Sequence, residues 1–159
     1  MTDGQKAALE AASVVLVSAC LLGERCRYDG RDQKSDHVGR ALEGKEVVPI
    51  CPEAGAGLGI PRPAVMLSRG DGQAVLLGNA FAVVRDSGRN VSDAFTAGAA
   101  LAVSAAKNFG ATVAILKERS PSCGSTHVWI DGVLSEGQGV TAAALRHAGV
   151  VVISDEELR

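Results

Sequence analysis

Short β-branched and aliphatic runs recur along this chain, and three of them lead straight to a cysteine. Val14 to Val17 runs into Ser18-Ala19-Cys20, Val47-Val48-Pro49-Ile50 into Cys51, and Val113 to Leu116 into a loop that reaches Cys123. Phe81 to Val84, His127 to Ile130 and Val150 to Ile153 are further strand candidates, and Asp131-Gly132 after the second of these is a turn signal. Short continuous apolar runs of this kind suit strands covered on both faces. The stretches between them read as helices. Ser92 to Phe109 is alanine-rich, with Ser92 placed to cap it, and Val140 to His147 follows the Gly137-Gln138-Gly139 turn and stops before Gly149.

Strands alternating with helices predict an α/β fold: a single domain with a largely parallel sheet and helices on both faces, Rossmann-like in layout. Residues 1–12 read as a flexible or frayed N-terminus, and 13–159 as the domain. In such a sheet the carboxyl ends of the strands line one edge, and ligand sites form there. Cys20, Cys51 and Cys123, 31 and 72 residues apart, are therefore expected to converge.

Composition narrows the function. A chain of 159 residues holds a core without disulfide staples. The 19 glycines follow no fixed period, which excludes collagen and suits many tight turns. A net charge of −2 and 3% aromatics give no footing for nucleic acid, and no apolar window is long enough to predict a membrane span. The opening MTDGQKAALEAASVV lacks a basic n-region, so the expected compartment is the cytoplasm, where thiols stay reduced. Four cysteines there read as metal ligands or catalytic groups and not as disulfides.

Four motifs carry the chemistry. In Ser18 to Gly30, Cys20 and Cys26 share a loop with Arg27, whose charge favours thiolates; the alternative makes both cysteines small core residues. In Pro49 to Pro63, Glu53 stands two residues beyond Cys51 as a candidate general acid or base, or else a solvated loop acid. Arg62, stiffened between prolines, either grips an anion or carbonyl or serves as an ion-pair partner. In Lys117 to His127, Cys123 sits among hydroxyls and small residues, in a loop that is otherwise a capped turn. Gly137-Gln138-Gly139 resembles an anion-binding nest but reads better as a helix-entry turn, and no nucleotide fingerprint is present. His37, His127 and His147 lack the spacing of a zinc pair, and none is assigned a catalytic role.

The strings SACLLGERCRYDG, VVPICPEAGAGLGIPRP, AILKERSPSCGS and GQGVTAAAL, in this order, resemble the DUF523 family, whose characterised members are 2-thiouracil desulfidases. The resemblance runs from about Val14 to Ile153. It implies a [4Fe-4S] cluster held by three thiolates, those of Cys20, Cys51 and Cys123, with one iron left open for the sulfur of a thiolated nucleobase such as 2-thiouracil. It also implies a catalytic Glu53, assisted by Ser120 with Ser122 as second choice, and makes Cys26 a supporting residue or an occasional ligand in a resting state, not a required one. Two departures from the family pattern bear on the substrate pocket: Ala64-Val65-Met66, where an acid is common near Met66, and a short Asp131 to Gly139 segment. Two other readings compete. One is a metal-free thiol or persulfide sulfurtransferase with Cys123 as nucleophile. The other is a non-catalytic metal-binding module with zinc on Cys20, Cys26, Cys51 and Cys123.

Overall fold

The structure is a computed structural model describing residues 1–159. Its central sheet joins β1 (Val14–Ser18), β2 (Glu46–Ile50), β5 (Val113–Leu116) and β8 (Val151–Ser154) in the order β2-β1-β5-β8, all parallel. The expected parallel sheet with helices on both faces is present, and side-chain alternation explains it. Val15, Val17, Val113, Ile115 and Ile153 face one way, into a cluster with Leu9 of α1 (Asp3–Ala11) and Val38 of α2 (Asp36–Ala41). Leu16, Ala114, Leu116 and Val152 face the other way, against Ala102 and Ala106 of α5 (Ser92–Phe109) and Leu145 of α6 (Val140–His147). Each fully buried Val, Leu or Ile contributes about 1.5–3 kcal/mol. A continuous apolar strand is thus the cost-free solution for a middle layer.

Residues 3–11, in the segment expected to be flexible or frayed, form helix α1. Thr2 and Gln5 make a capping box, and Gln5 Nε2 donates to the Val152 carbonyl at 3.1 Å. Ser92 does not cap α5. Val91 holds the N-cap position, and the Ser92 hydroxyl instead accepts from the Ala82 backbone N–H at 2.9 Å, tying the helix start to the neighbouring strand.

A second four-stranded sheet stands beside the first, an addition to the single sheet read from the sequence. Its strands are β3 (Val65–Ser68), β4 (Phe81–Val84), β6 (His127–Ile130) and β7 (Val133–Glu136), in the order β4-β3-β6-β7. Pairing is parallel between β3 and β6 and antiparallel elsewhere. Asp131 and Gly132 both have positive φ (49° and 82°), the pair of left-handed residues that a two-residue hairpin between β6 and β7 requires. Phe95 and Ala99 of α5, Val75 of α4 (Gly72–Leu76) and Val140 of α6 cover this sheet. A four-residue helix, α3 (Pro52–Gly55), packs on α5. That packing depends on Gly98, where a Cβ would stand 2.9 Å from the Pro52 carbonyl carbon and nearer still to its oxygen.

Candidate active site

Strand β1 lies between β2 and β5: the connection from β1 runs to β2 on one side, and the later strands β5 and β8 are added on the other. This is the switch point at which open parallel sheets bind ligands. After β1 the chain winds into a 3₁₀ turn, Ala19–Leu22, that carries Cys20 and ends on Gly23 at a φ of 100°. After β2, Cys51 occupies the N-cap of α3 with Pro52 behind it, where a missing N–H costs nothing. After β5 comes the loop with Ser120, Ser122 and Cys123. The three ends and Cys26 line one cavity of about 370 Å³. Ala64, Val65, Arg85 and Trp129, from the second sheet and its approaches, form part of its wall.

Glu53 is 9% exposed and has a partner on each oxygen. Arg62 Nε stands 3.3 Å from Oε1, and Ser122 Oγ donates to Oε2 at 2.9 Å. Arg62 takes its ion-pair role, because Nη1 also donates to the Cys26 carbonyl (3.0 Å) and the Gly59 carbonyl (2.9 Å). Burying a carboxylate is less costly when each of its oxygens has such a partner. The Ser120 hydroxyl oxygen accepts from the backbone N–H of Ser122 (3.2 Å) and of Cys123 (3.1 Å), and lies 3.0 Å from Ser122 Oγ. Each hydroxyl has one proton to give. With Ser122 donating to Glu53, the remaining bond runs from Ser120 to Ser122, which makes a one-way chain ending on the carboxylate. Ser122 touches Glu53, and Ser120 stands one bond behind it.

The thiols differ. Burial pushes Cys20 up to about 11 and Cys123 up to about 12. A hydrogen bond from the Cys26 side chain is the main cause holding Cys51 down at about 6, and the same bond drives Cys26 upward. Cys51 Sγ also lies 3.5 Å from the Cys26 carbonyl oxygen. Buried, protonated thiols such as Cys123 make poor free nucleophiles, which counts against the sulfurtransferase reading; a bound cation reverses that preference. The donor set is four sulfurs, the soft set that iron–sulfur clusters and zinc share. No three His, Cys, Asp or Glu side chains meet closely enough to grip a single ion. A cluster spreads its irons, so thiols spaced round a roomy cavity fit one.

Glu118, to which sequence reasoning gave no role, organises the cysteine loop. It is 3% exposed. Its Oε1 accepts from the backbone N–H of Ser125 (2.9 Å), Thr126 (3.0 Å), His127 (3.1 Å) and Arg119 (3.3 Å). Its Oε2 accepts from the hydroxyls of Thr126 (2.8 Å) and Ser125 (3.2 Å). Burial alone raises its pKa, but hydrogen bonds from Ser154, Thr126 and His127 outweigh that and hold it at about 2. The available signal was an acid two residues after a wholly apolar strand, heading a loop whose N–H groups need partners.

The glycine turn before α6 proves to be a helix entry. The N–H groups of Val140, Thr141 and Ala142 donate to the carbonyls of Pro121 and Ser122, clamping the cysteine loop from below. Gly139 permits this approach, since a Cβ there would lie 2.5 Å from the Ser122 carbonyl group. His37, His127 and His147 are exposed and do not line the cavity.

Fold and site together define a three-layer α/β protein with a sulfur-lined pocket and a buried carboxylate at its switch point. The family profile described as 2-thiouracil desulfurase matches residues 15–157, and the chain belongs to that family. It is 40% identical to the uncharacterized protein YbbK of Bacillus subtilis (strain 168), covering 91% of this chain and 97% of YbbK. Among solved structures it resembles the [4Fe-4S]-dependent thiouracil desulfidase TudS, with a TM-score of 0.78 and 35% identity over 92% of this chain and 93% of that one. No helix is long and apolar enough to cross a membrane.

Proposed function

We propose that this chain is a [4Fe-4S]-dependent desulfidase that converts a thiocarbonyl nucleobase such as 2-thiouracil, plus water, to uracil and hydrosulfide. Cys20, Cys51 and Cys123 hold the cluster, and Cys26 stands beside them as a supporting thiol. When bound, the cluster supplies an iron with an open position and an affinity for soft sulfur. The protein's own groups do the rest. Glu53 accepts a proton from the attacking water, its Oε2 already oriented by Ser122. Glu53 then hands that proton back through the Ser122 hydroxyl, which passes it to the departing sulfur as the C–S bond breaks, while Ser120 holds Ser122 in line. Arg62 pairs with Glu53 Oε1 and fixes the orientation of the carboxylate in the cavity. Oxygen replaces sulfur on the same carbon with no net redox change, so no electron-transfer partner is needed. A small thiolated base is the partner, with no role for nucleic acid or membrane, and a reducing cytoplasm keeps the four thiols available.

The observation that carries this reading is the single cavity in which sulfur donors from three strand ends face a carboxylate held by a serine and an arginine. The test is anaerobic reconstitution followed by iron and sulfide analysis and conversion of 2-thiouracil to uracil. Wild type should bind iron and turn over. Cys51→Ala should lose both, while Glu53→Gln should keep the iron and lose turnover. An active Glu53→Gln protein removes the acid–base assignment, and an iron-free wild type removes the function.

A further inference from the structure

The loop from Arg119 to His127 carries the serine pair and Cys123, yet it makes almost no regular structure of its own. Four of its backbone N–H groups, at Arg119, Ser125, Thr126 and His127, converge on one oxygen of Glu118. Two hydroxyls bond the other oxygen. An oxygen has two lone pairs, so four donors on one atom call for the full negative charge of a carboxylate and not the partial charge of an amide. Donors at 119 and at 125–127 also close the loop at both ends upon the same group, so residues 120–124 are wound around it. Arg119 takes a left-handed φ of 67° to begin that winding. The Glu118 backbone N–H donates to Asp155 Oδ1 at 2.8 Å, anchoring the hub to the C-terminal turn. Glu118 hydrogen-bonds to neither Glu53 nor any of the four thiols.

We infer that Glu118 is a positioning residue: its carboxylate is a built-in anion around which the cysteine loop is wound, and its charge holds Ser122 and Cys123 where Glu53 and the other thiols need them. This rests on the desulfidase reading for what the loop does, but not for how it is held. The loop is therefore shaped by the protein itself before any cofactor arrives.

The test compares wild type with Glu118→Gln in anaerobically loaded protein, by amide hydrogen exchange and by the rate of iron loss to a ferrous chelator. Glu118→Gln should exchange residues 119–127 faster by about tenfold or more, as expected for losing charge-assisted bonds, while β1 and β5 stay protected. Iron loss should accelerate by a similar factor. Glu118→Ala supplies the second arm, since it opens a carboxylate-sized gap. Added formate, and not equal chloride, should restore both slow exchange and slow iron loss, which a merely space-filling residue does not predict. Wild-type exchange in the Gln variant, or a folded Ala variant indifferent to formate, overturns the inference. If wild type carries no iron, the exchange arms still decide the role of Glu118, and only the proposed function fails.

Discussion

Replacing Gly98 with alanine tests how the fold aims its carboxylate. Gly98 lies on the buried face of α5, and an added Cβ would press on the carbonyl of Pro52, the residue before Glu53. The carbon lies at 2.9 Å where ordinary contact begins near 3.4 Å, and the oxygen is closer. Short helix α3 must therefore retreat by about 0.5–1 Å, since the α5 backbone is locked by its neighbours. The Ser122–Glu53 bond of 2.9 Å then stretches toward the limit of hydrogen bonding. A displacement of about 1 Å in a reacting group costs on the order of 100-fold in rate. Stability moves much less. Overpacking costs about 1–3 kcal/mol, but alanine is about 1 kcal/mol better than glycine in a helix, for a net loss of about 0–2 kcal/mol. The assay is kcat per bound cluster for 2-thiouracil loss, beside thermal unfolding of the same sample. Gly39→Ala in α2, where nothing lies within 4 Å of the new carbon, is the control and should gain about 1 kcal/mol at unchanged kcat. A Gly98→Ala protein with wild-type kcat refutes the idea that this contact sets the carboxylate.

Other outcomes follow from single groups. Thr141 Oγ1 is buried without a hydrogen-bond partner, so Thr141→Val should stabilise by about 1 kcal/mol and raise Tm by a few degrees. Glu118 is held at about 2 against an ordinary 4.5. Its folded value is depressed, so its contribution is complete above 4.5 and disappears as pH falls toward 2, amounting to on the order of 3 kcal/mol. Denaturant unfolding from pH 6 to 2 should therefore decline more steeply in wild type than in Glu118→Gln, a comparison in which the other carboxylates largely cancel; parallel curves contradict it. Cys26→Ser should retain most of its iron after anaerobic gel filtration, as expected of a thiol outside the proposed ligand trio, and iron loss equal to that of Cys51→Ala places Cys26 among the ligands.

The parallel layer was legible because its strands are continuous apolar runs, and the cysteines because they sit where those runs stop. Strand order was not legible. That β1 neighbours both β2 and β5 depends on pairing between residues about a hundred positions apart, such as Val15 with Val113. Strand β3 was missed because Val65–Ser68 is short and half-buried, and β7 because Val133–Glu136 is an exposed edge with little apolar signal; only the Asp131-Gly132 turn announced that hairpin. Ser92 has a capping residue's chemistry, but a strand N–H takes its hydroxyl, a tertiary competition no local pattern records. The choice between Ser120 and Ser122 turns on how the loop winds. That winding is set by Glu118, whose bonds reach the far end of the same segment.

Because the sulfur donors come from strands so distant along the chain, no stretch emerging from the ribosome carries a site by itself. A zinc finger can seize its metal from a hairpin's worth of residues and fold around it. Here β5 must already lie alongside β1, Ile115 against Val17, before Cys123 reaches its place, so translation and sheet closure precede any cofactor delivery. Whatever donates the iron meets a finished protein and an open cup, not a nascent chain.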